Sequence, residues 1–351
     1  MRVRIPDAGD PPPSFIRNLI GLLEAHGVVV DLTAPPAQGR LMAILRQRRL
    51  LPESATFRTA VEAADIVHFQ WPPSYLAYGS LVRKCGKPVV LSLRGRLTNI
   101  VPHLPGREAY RLSLQESLPE CDAYHCVSAD VRDRAVPLGL VPDRAHVIRP
   151  AIEVSRFAPV RRSPADHLRI SMVGGLMWRK GYEYALTAVS RLRDAGYDFH
   201  LTIAGEGPDR ARIEWTTVDL GLVDNVTLLG AVEHRRIVEL LQASDVFLHT
   251  SLSEGIANSV LEAMGCSVPV VVWDAGGMGE AVTDGVEGRL VGRRDLDATW
   301  RALAAVADDG ATARRMAETG RRRVVEDFDL HSRGARFIEL YESVLPGGDC
   351  Q

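Results

Sequence analysis

Residues 245–273 read DVFLHTSLSEGIANSVLEAMGCSVPVVVW. Two short apolar runs, DVFLHT (245–250) and VPVVVW (268–273), flank a segment of helical character at 259–265. Neither run alternates polar with apolar residues. A strand covered by helices on both faces has that look, so the stretch reads as buried strand, crossover helix, buried strand. Similar runs recur at ADIVHF (64–69), KPVVLSL (87–93), DAYHCV (122–127), LRISMV (168–173), FHLTIAG (199–205) and NVTLLG (225–230). Such strands, alternating with helical segments, predict a doubly wound α/β architecture.

At roughly 150 residues per domain, 351 residues suggest two such units. We place the first at 1–155 and the second at 156–328. The linker SRFAPVRRSPADH (155–167), with its prolines and lack of periodicity, joins them. A last helix starts near Asp329. Phe337, Leu340, Tyr341, Val344 and Leu345 form one apolar stripe on it, so residues 329–351 should pack back on the first domain, with the tail PGGDCQ frayed. Ligands of open α/β sheets bind beyond the carboxyl ends of the strands, so two facing sheets of this kind predict a ligand in the cleft between them.

Composition narrows the function. Hydrophobic residues make up 46% and charged residues 25%, with a net charge of −2, so there is no basic bias for nucleic-acid binding. No apolar run reaches membrane-spanning length. The N-terminal MRVRIPDAGDPPP lacks the apolar core of a signal peptide, and a cytoplasmic location is expected. Cys85, Cys121, Cys126, Cys266 and Cys350 have no metal-ligand spacing and read as reduced thiols. Lysine is rare here (Lys84, Lys87 and Lys180), so a Lys in a loop carries information.

The most informative loop lies in the opening stretch. Ser259 and Glu262 match an S-x-x-E capping box, which puts Glu262 in the first helical turn and Glu254 in the loop before it. The amides of Ala257, Asn258, Ser259 and Val260 then sit at the helix N-terminus, where unpaired N–H groups and the helix dipole favour an anion. Taken alone, Glu262 reads equally as a mere capping residue or a ligand-binding one, and Glu254 equally as an ordinary loop acid or a ligand-binding one. The pair, seven residues apart around a helix start, is far more specific.

EGIANSVLEAM resembles the Glu-x7-Glu signature of glycosyltransferase family 4, retaining enzymes of GT-B fold with two facing Rossmann-like domains. VIRPAIEVSRFAP, VGGLMWRKGYEYAL, IAGEGPDR, LLGAVEHRRIVELLQASDVFL and GGMGEAV follow in the family's order, most strongly over 147–345. The resemblance implies transfer of a hexose from a nucleotide-diphosphate sugar, UDP- or GDP-linked, to a hydroxyl of an acceptor. It implies no further cofactor, and no Asp-x-Asp metal site is visible. Glu254 would hold hydroxyls of the donor sugar and Glu262 the ribose, each carboxylate accepting a pair of hydroxyls. Ile256 and the amides at 257–259 would line the diphosphate, and Val232 would meet the base through its backbone. In the loop GGLMWRKG (174–181) the family places an Arg and, five residues on, a Lys on the diphosphate. Lys180 matches; Gly175 stands where the Arg would be, and Arg179 is the substitute at hand.

The first domain would bind the acceptor. Arg94, after VVLSL, stands where many relatives have His. It reads as a ligand for phosphate or for an anionic or hydroxyl-rich acceptor, or else as a solvated loop residue. Ser14 is expected to cap the helix after IPDAGDPPPS, and Ser128 the one after HCV. Trp71 reads as a sugar-stacking ring or plain packing, and His68 and His125 as core residues. GEGP (205–208) reads as a weak turn signal. Arg314, Arg315 and Arg321 to Arg323 read as a solvated helix face, with a weak anionic-membrane contact as the minority alternative. A small soluble acceptor and a bacterial source are expected. Two other functions share this sequence pattern: a related phosphorylase or epimerase, and a partner subunit that binds nucleotide sugar without turning it over.

Overall fold

The computed structural model describes residues 1–9, 11–32, 55–161 and 165–345. The tail PGGDCQ and part of the linker lie outside them. The chain divides into two compact units, one of Met1–Arg149 with Leu330–Gln351, the other of Pro150–Asp329. Each is built on one six-stranded parallel sheet.

In unit 1 the strands are β1 (Arg2–Arg4), β2 (Val29–Asp31), β3 (Ile66–Phe69), β4 (Val89–Leu93), β5 (Ala123–Cys126) and β6 (Ala145–Val147), in the spatial order β2-β1-β3-β4-β5-β6. The helices are α1 (Ser14–Ala25), α2 (Ala55–Glu62), α3 (Pro72–Lys84), α4 (Glu108–Ser117) and α5 (Ala129–Ala135). Strands β3, β4 and β5 are buried at every position, which is why they read as unbroken apolar runs. The edge strands β2 and β6 have no buried residue. They carry no such signal, and the sequence reading passed over them.

Unit 2 has β7 (Leu168–Val173), β8 (Phe199–Ala204), β9 (Val226–Gly230), β10 (Val246–His249), β11 (Val270–Asp274) and β12 (Arg289–Gly292), in the order β12-β11-β10-β7-β8-β9. Its helices are α6 (Tyr182–Asp194), α7 (Arg210–Asp219), α8 (His234–Ala243), α9 (Asn258–Gly265), α10 (Leu296–Asp308) and α11 (Gly310–Asp327). The final helix, α12 (Gly334–Glu342), belongs to unit 1.

Each sheet reverses direction once. In unit 1 the chain runs from β1 to β2 on one side and returns to β3 on the other. In unit 2 it runs β7, β8, β9 and returns to β10 beside β7. At such a point the loops leaving two neighbouring strands diverge and open a crevice at their carboxyl ends. The crevice loops are therefore those after β1 and β3 in unit 1, and those after β7 and β10 in unit 2.

Several local expectations are corrected. Pro13 takes the N-cap of α1 with no side-chain bond, and Ser14 is the first helical residue. Residues 330–333 form a short 3-10 turn, so α12 begins later than Asp329. Phe337, Leu340 and Tyr341 are buried in the unit 1 core, and Val344 and Leu345 follow the helix. The basic stripe on α11 is not all solvated. Arg321 donates to the carbonyls of Phe157 and Gly265, and Arg323 pairs with Glu287 at 2.7 Å. Ser128 does cap α5, accepting from the Val131 amide at 3.1 Å. The described cysteines form no disulfide.

Candidate functional site

The loop after β7 and the loop after β10 bring Lys180 and Glu254 together across the unit 2 crevice. Glycine makes this approach possible. Gly181 sits at φ +66 before α6, and a Cβ there would strike the carbonyl of Thr250. The Thr250 hydroxyl in turn donates to the Gly181 carbonyl at 2.9 Å. One strand over, Gly205 and Gly207 let the GEGP turn lie against residues 174–176, with the Leu176 amide bonded to the Glu206 carbonyl at 2.9 Å. That turn is a packing requirement, stronger than its sequence signal.

Glu254 is the centre of charge. Its Oε1 accepts from Lys180 Nζ at 2.5 Å, from Arg179 Nη1 at 3.3 Å and from Ser251 Oγ at 2.8 Å. His249 Nε2 lies 3.7 Å from the same oxygen. Every contact falls on Oε1, which leaves Oε2 without a partner among the described residues. The Glu254 side chain is only 11% exposed. Burial alone would raise its pKa, but the charges of Lys180 and Arg179 and the His249 ring hold it well below the ordinary carboxylate range. Burial, opposed by Glu254 but assisted by the two neighbouring cations, lowers the pKa of His249. Two cations against one carboxylate leave net positive charge in the crevice. His249, Ser251 and the bridging of Lys180 by Glu254 were missed in the sequence. A histidine closing an apolar strand five residues before Glu254 was the available signal.

Helix α9 starts one residue earlier than its sequence suggests. Ile256 and Ala257 are buried, Ala257 occupies the N-cap, and no side chain caps the helix. The Ser259–Glu262 capping box is therefore not formed, and Glu262 lies beyond the first turn. With no cap, the amides of Asn258 and Ser259 have no acceptor among the described residues, while Val260 and Leu261 bond back to Ala257. Val260, Leu261, Ala263 and Met264 are fully buried, so this N-terminus is rigidly placed. Unpaired amides on a fixed helix end are suited to an anion. Glu262 faces His234 of α8 at 3.7 Å, and that bond raises the His234 pKa. Val232 lies in the loop after β9, just before α8. Gly175 is in the loop beside Met177 and Glu206, and Arg179 supplies the second cation near Glu254.

Arg94, in unit 1, is not a solvated loop residue. Its guanidinium lies 4.4 Å from the centre of the Phe15 ring and donates to Gln70 Oε1 at 2.5 Å. His68 and His125 are core residues as expected. His68 bonds Tyr341 Oη at 2.8 Å and Ser92 Oγ at 2.9 Å; His125 bonds Ser92 Oγ at 2.8 Å and the Ile148 carbonyl at 3.0 Å. Trp71 packs edge-on against Phe15 at 5.8 Å and forms the N-cap of α3.

Among the described residues no group of three His, Cys, Asp or Glu could hold a metal ion, and no helix is long and apolar enough to cross a membrane.

Two family models match the chain, Glycosyltransferase Family 4 over residues 10–156 and Glycosyl transferases group 1 over residues 155–323. The chain is 30% identical over 213 residues to 2-deoxystreptamine glucosyltransferase from Streptomyces kanamyceticus, covering 60% of this chain and 54% of that protein. It is 30% identical over 231 residues to a glycogen synthase from Mycobacterium tuberculosis, covering 65% and 56%. It thus spans about half the length of these curated relatives. Its fold is that of sucrose-phosphate synthase from Thermosynechococcus elongatus, with a TM-score of 0.82, 21% identity and 98% of each chain covered. It is also that of Anabaena HepE in complex with UDP, with a TM-score of 0.80, 18% identity and 98% and 100% covered. With the two models adjoining in the order of the two units, the chain belongs to the family 4, group 1 glycosyltransferases of GT-B fold.

Proposed function

We propose that this chain moves a hexose, with retention of configuration and without a metal ion, from a UDP- or GDP-sugar to a hydroxyl of an acceptor. The observation that carries the reading is the unit 2 crevice: Lys180, Arg179 and Glu254 set beside the uncapped N-terminus of α9. When the glycosidic bond breaks, negative charge builds on the departing diphosphate. Lys180 and the amides of Asn258 and Ser259 are preorganised to receive it, which stabilises the transition state more than the ground state. The ammonium must exchange Glu254 for phosphate as the donor enters. Glu254 then turns its charge to the sugar, with Oε2 already open, and orients the anomeric carbon. Glu262 holds the ribose hydroxyls, the backbone at Val232 meets the base, and Gly175 and Ile256 border the phosphates. Unit 1 holds the acceptor. The departing phosphate oxygen takes the acceptor proton on the face from which it leaves, so no protein base is needed. We place the reaction in the cytoplasm, where such donors are available.

The test is thermal-shift binding against UDP, GDP, ADP and dTDP and their sugar conjugates. A shift with one base, abolished in Lys180→Ala, is the expected result. No shift with any of them would overturn the reading.

A further inference from the structure

The unit 1 crevice, between the loops after β1 and β3, holds a cation, Arg94, that no carboxylate among the described residues contacts directly, Asp7 acting on it only through space. Asp7 lies in the first loop, and Gln70 with Trp71 in the second. The Asp7 carboxylate is already committed: Oδ1 accepts the Gln70 amide at 2.8 Å and Oδ2 the Trp71 amide at 2.9 Å. It thereby ties the two loops together just ahead of α3. Arg94, at the end of β4 beside them, makes no ion pair among the described residues. Its one close acceptor is the neutral Gln70 amide oxygen, with Ser92 Oγ more distant at 3.5 Å. Phe15 covers one face of the guanidinium.

Hydrogen-bond accounting points the same way. Gln70 is fully buried, yet among the described residues its Nε2 has no acceptor, and Arg94 Nε is buried and equally unmatched. Arg94 Nη1 makes no hydrogen bond among the described residues. A buried donor without an acceptor is destabilising, and more so where the donor is charged. Two adjoining residues left this way, at the point where the sheet reverses, form a site lacking its acceptor oxygens. The fork geometry of Arg matches a carboxylate or phosphate, and a neutral hydroxyl would leave the charge unmet. We propose that Arg94 and Gln70 bind an oxyanion, so that the acceptor of this enzyme carries a phosphate or carboxylate group. The proposal rests on the assignment of the acceptor to unit 1.

The experiment uses the full chain, titrated by calorimetry with glucose 6-phosphate, inorganic phosphate, glucose and 2-deoxystreptamine, with and without saturating UDP. The wild type should bind glucose 6-phosphate at least tenfold more tightly than glucose, with UDP present. Arg94→Gln should lose that preference, and Arg94→Lys should keep part of it. Unchanged melting temperatures would show that both variants fold. The UDP dissociation constant of Arg94→Gln should stay within about twofold of the wild type. No preference for the phosphorylated sugar, or tighter binding of the cationic 2-deoxystreptamine, would overturn the proposal. So would an equal loss of UDP binding in Arg94→Gln, which would assign the anion to the donor. Wild-type binding of phosphate but not UDP would instead sink the donor reading and leave this site standing.

Discussion

Glu254→Gln separates donor binding from sugar transfer. In the ligand-free protein the Lys180 ammonium is 2.5 Å from Glu254 Oε1, with the two side chains 14% and 11% exposed. Removing one member of a buried pair typically costs about 3–5 kcal/mol, because the remaining charge is left uncompensated. Here a glutamine oxygen can still accept a bond from Lys180, so we expect about 1–3 kcal/mol. The variant should melt several degrees lower without ligand. A diphosphate restores the missing negative charge, so UDP should bind more tightly to Glu254→Gln than to the wild type. Recovery of about 1.4 kcal/mol corresponds to tenfold. The sugar, in contrast, loses its carboxylate. The extra affinity of UDP-glucose over UDP should vanish, and release of UDP from the donor should slow by about a hundredfold or more. Calorimetry with UDP and UDP-glucose, alongside initial rates of donor cleavage, reads all three quantities. Weaker UDP binding in step with the lost turnover would refute the exchange of partners, since Lys180 would then need Glu254 to hold it in place.

Lys180→Ala should weaken UDP binding by about tenfold to a hundredfold, from loss of one charge-assisted contact of about 1.5–3 kcal/mol, read by the same calorimetry. Gly181→Ala should destabilise the chain by about 2–4 kcal/mol in urea titration, because it combines a left-handed backbone with a collision at the Thr250 carbonyl. Burial, together with the nearby Arg94 charge, lowers the His125 pKa to about 3, and burial holds His68 well below its usual value as well. Both fold as neutral rings, so their contribution is fully present above about pH 6.5 and is lost as pH falls toward 3. For His125 alone the loss between pH 6.5 and 5 is about 2 kcal/mol. Asp7, pushed up to about 6 by burial, works in the opposite sense and offsets about 1 kcal/mol over that range. Urea unfolding at pH 7 and pH 5 should therefore show a net loss at pH 5, and His125→Asn should reduce it.

The parts of this molecule legible in the sequence are those whose signal is local. Strands such as VVLSL and VFLH announce themselves because each is buried along its whole length. The Glu254–Glu262 spacing and Lys180 are local too. What escaped depends on neighbours far along the chain. Ser259 matched a capping box, yet burial of Ile256 and Ala257 moved the helix start and removed the cap, a tertiary contact overriding a local preference. Arg321 looked solvated until the carbonyls of Phe157 and Gly265 were found above it.

The two crevices extend that point from structure to chemistry. Lys180 and Glu254 are 74 residues apart in sequence, as Asp7 and Gln70 are 63 apart, and each pair meets because its sheet reverses there. The reversal brings unlike partners together in the two units. In unit 2 the cations face the carboxylate of Glu254, so on the proposed reading a diphosphate has to take its place. In unit 1 the carboxylate of Asp7 is bonded to two backbone amides and makes no direct contact with Arg94, whose closest acceptor among the described residues is the neutral Gln70 amide oxygen. A donor must therefore compete for the first site, while an anion entering the second displaces no protein charge. Salt should accordingly weaken phosphate binding at Arg94 more steeply than UDP binding at Lys180, since only the latter returns a buried carboxylate to a new partner.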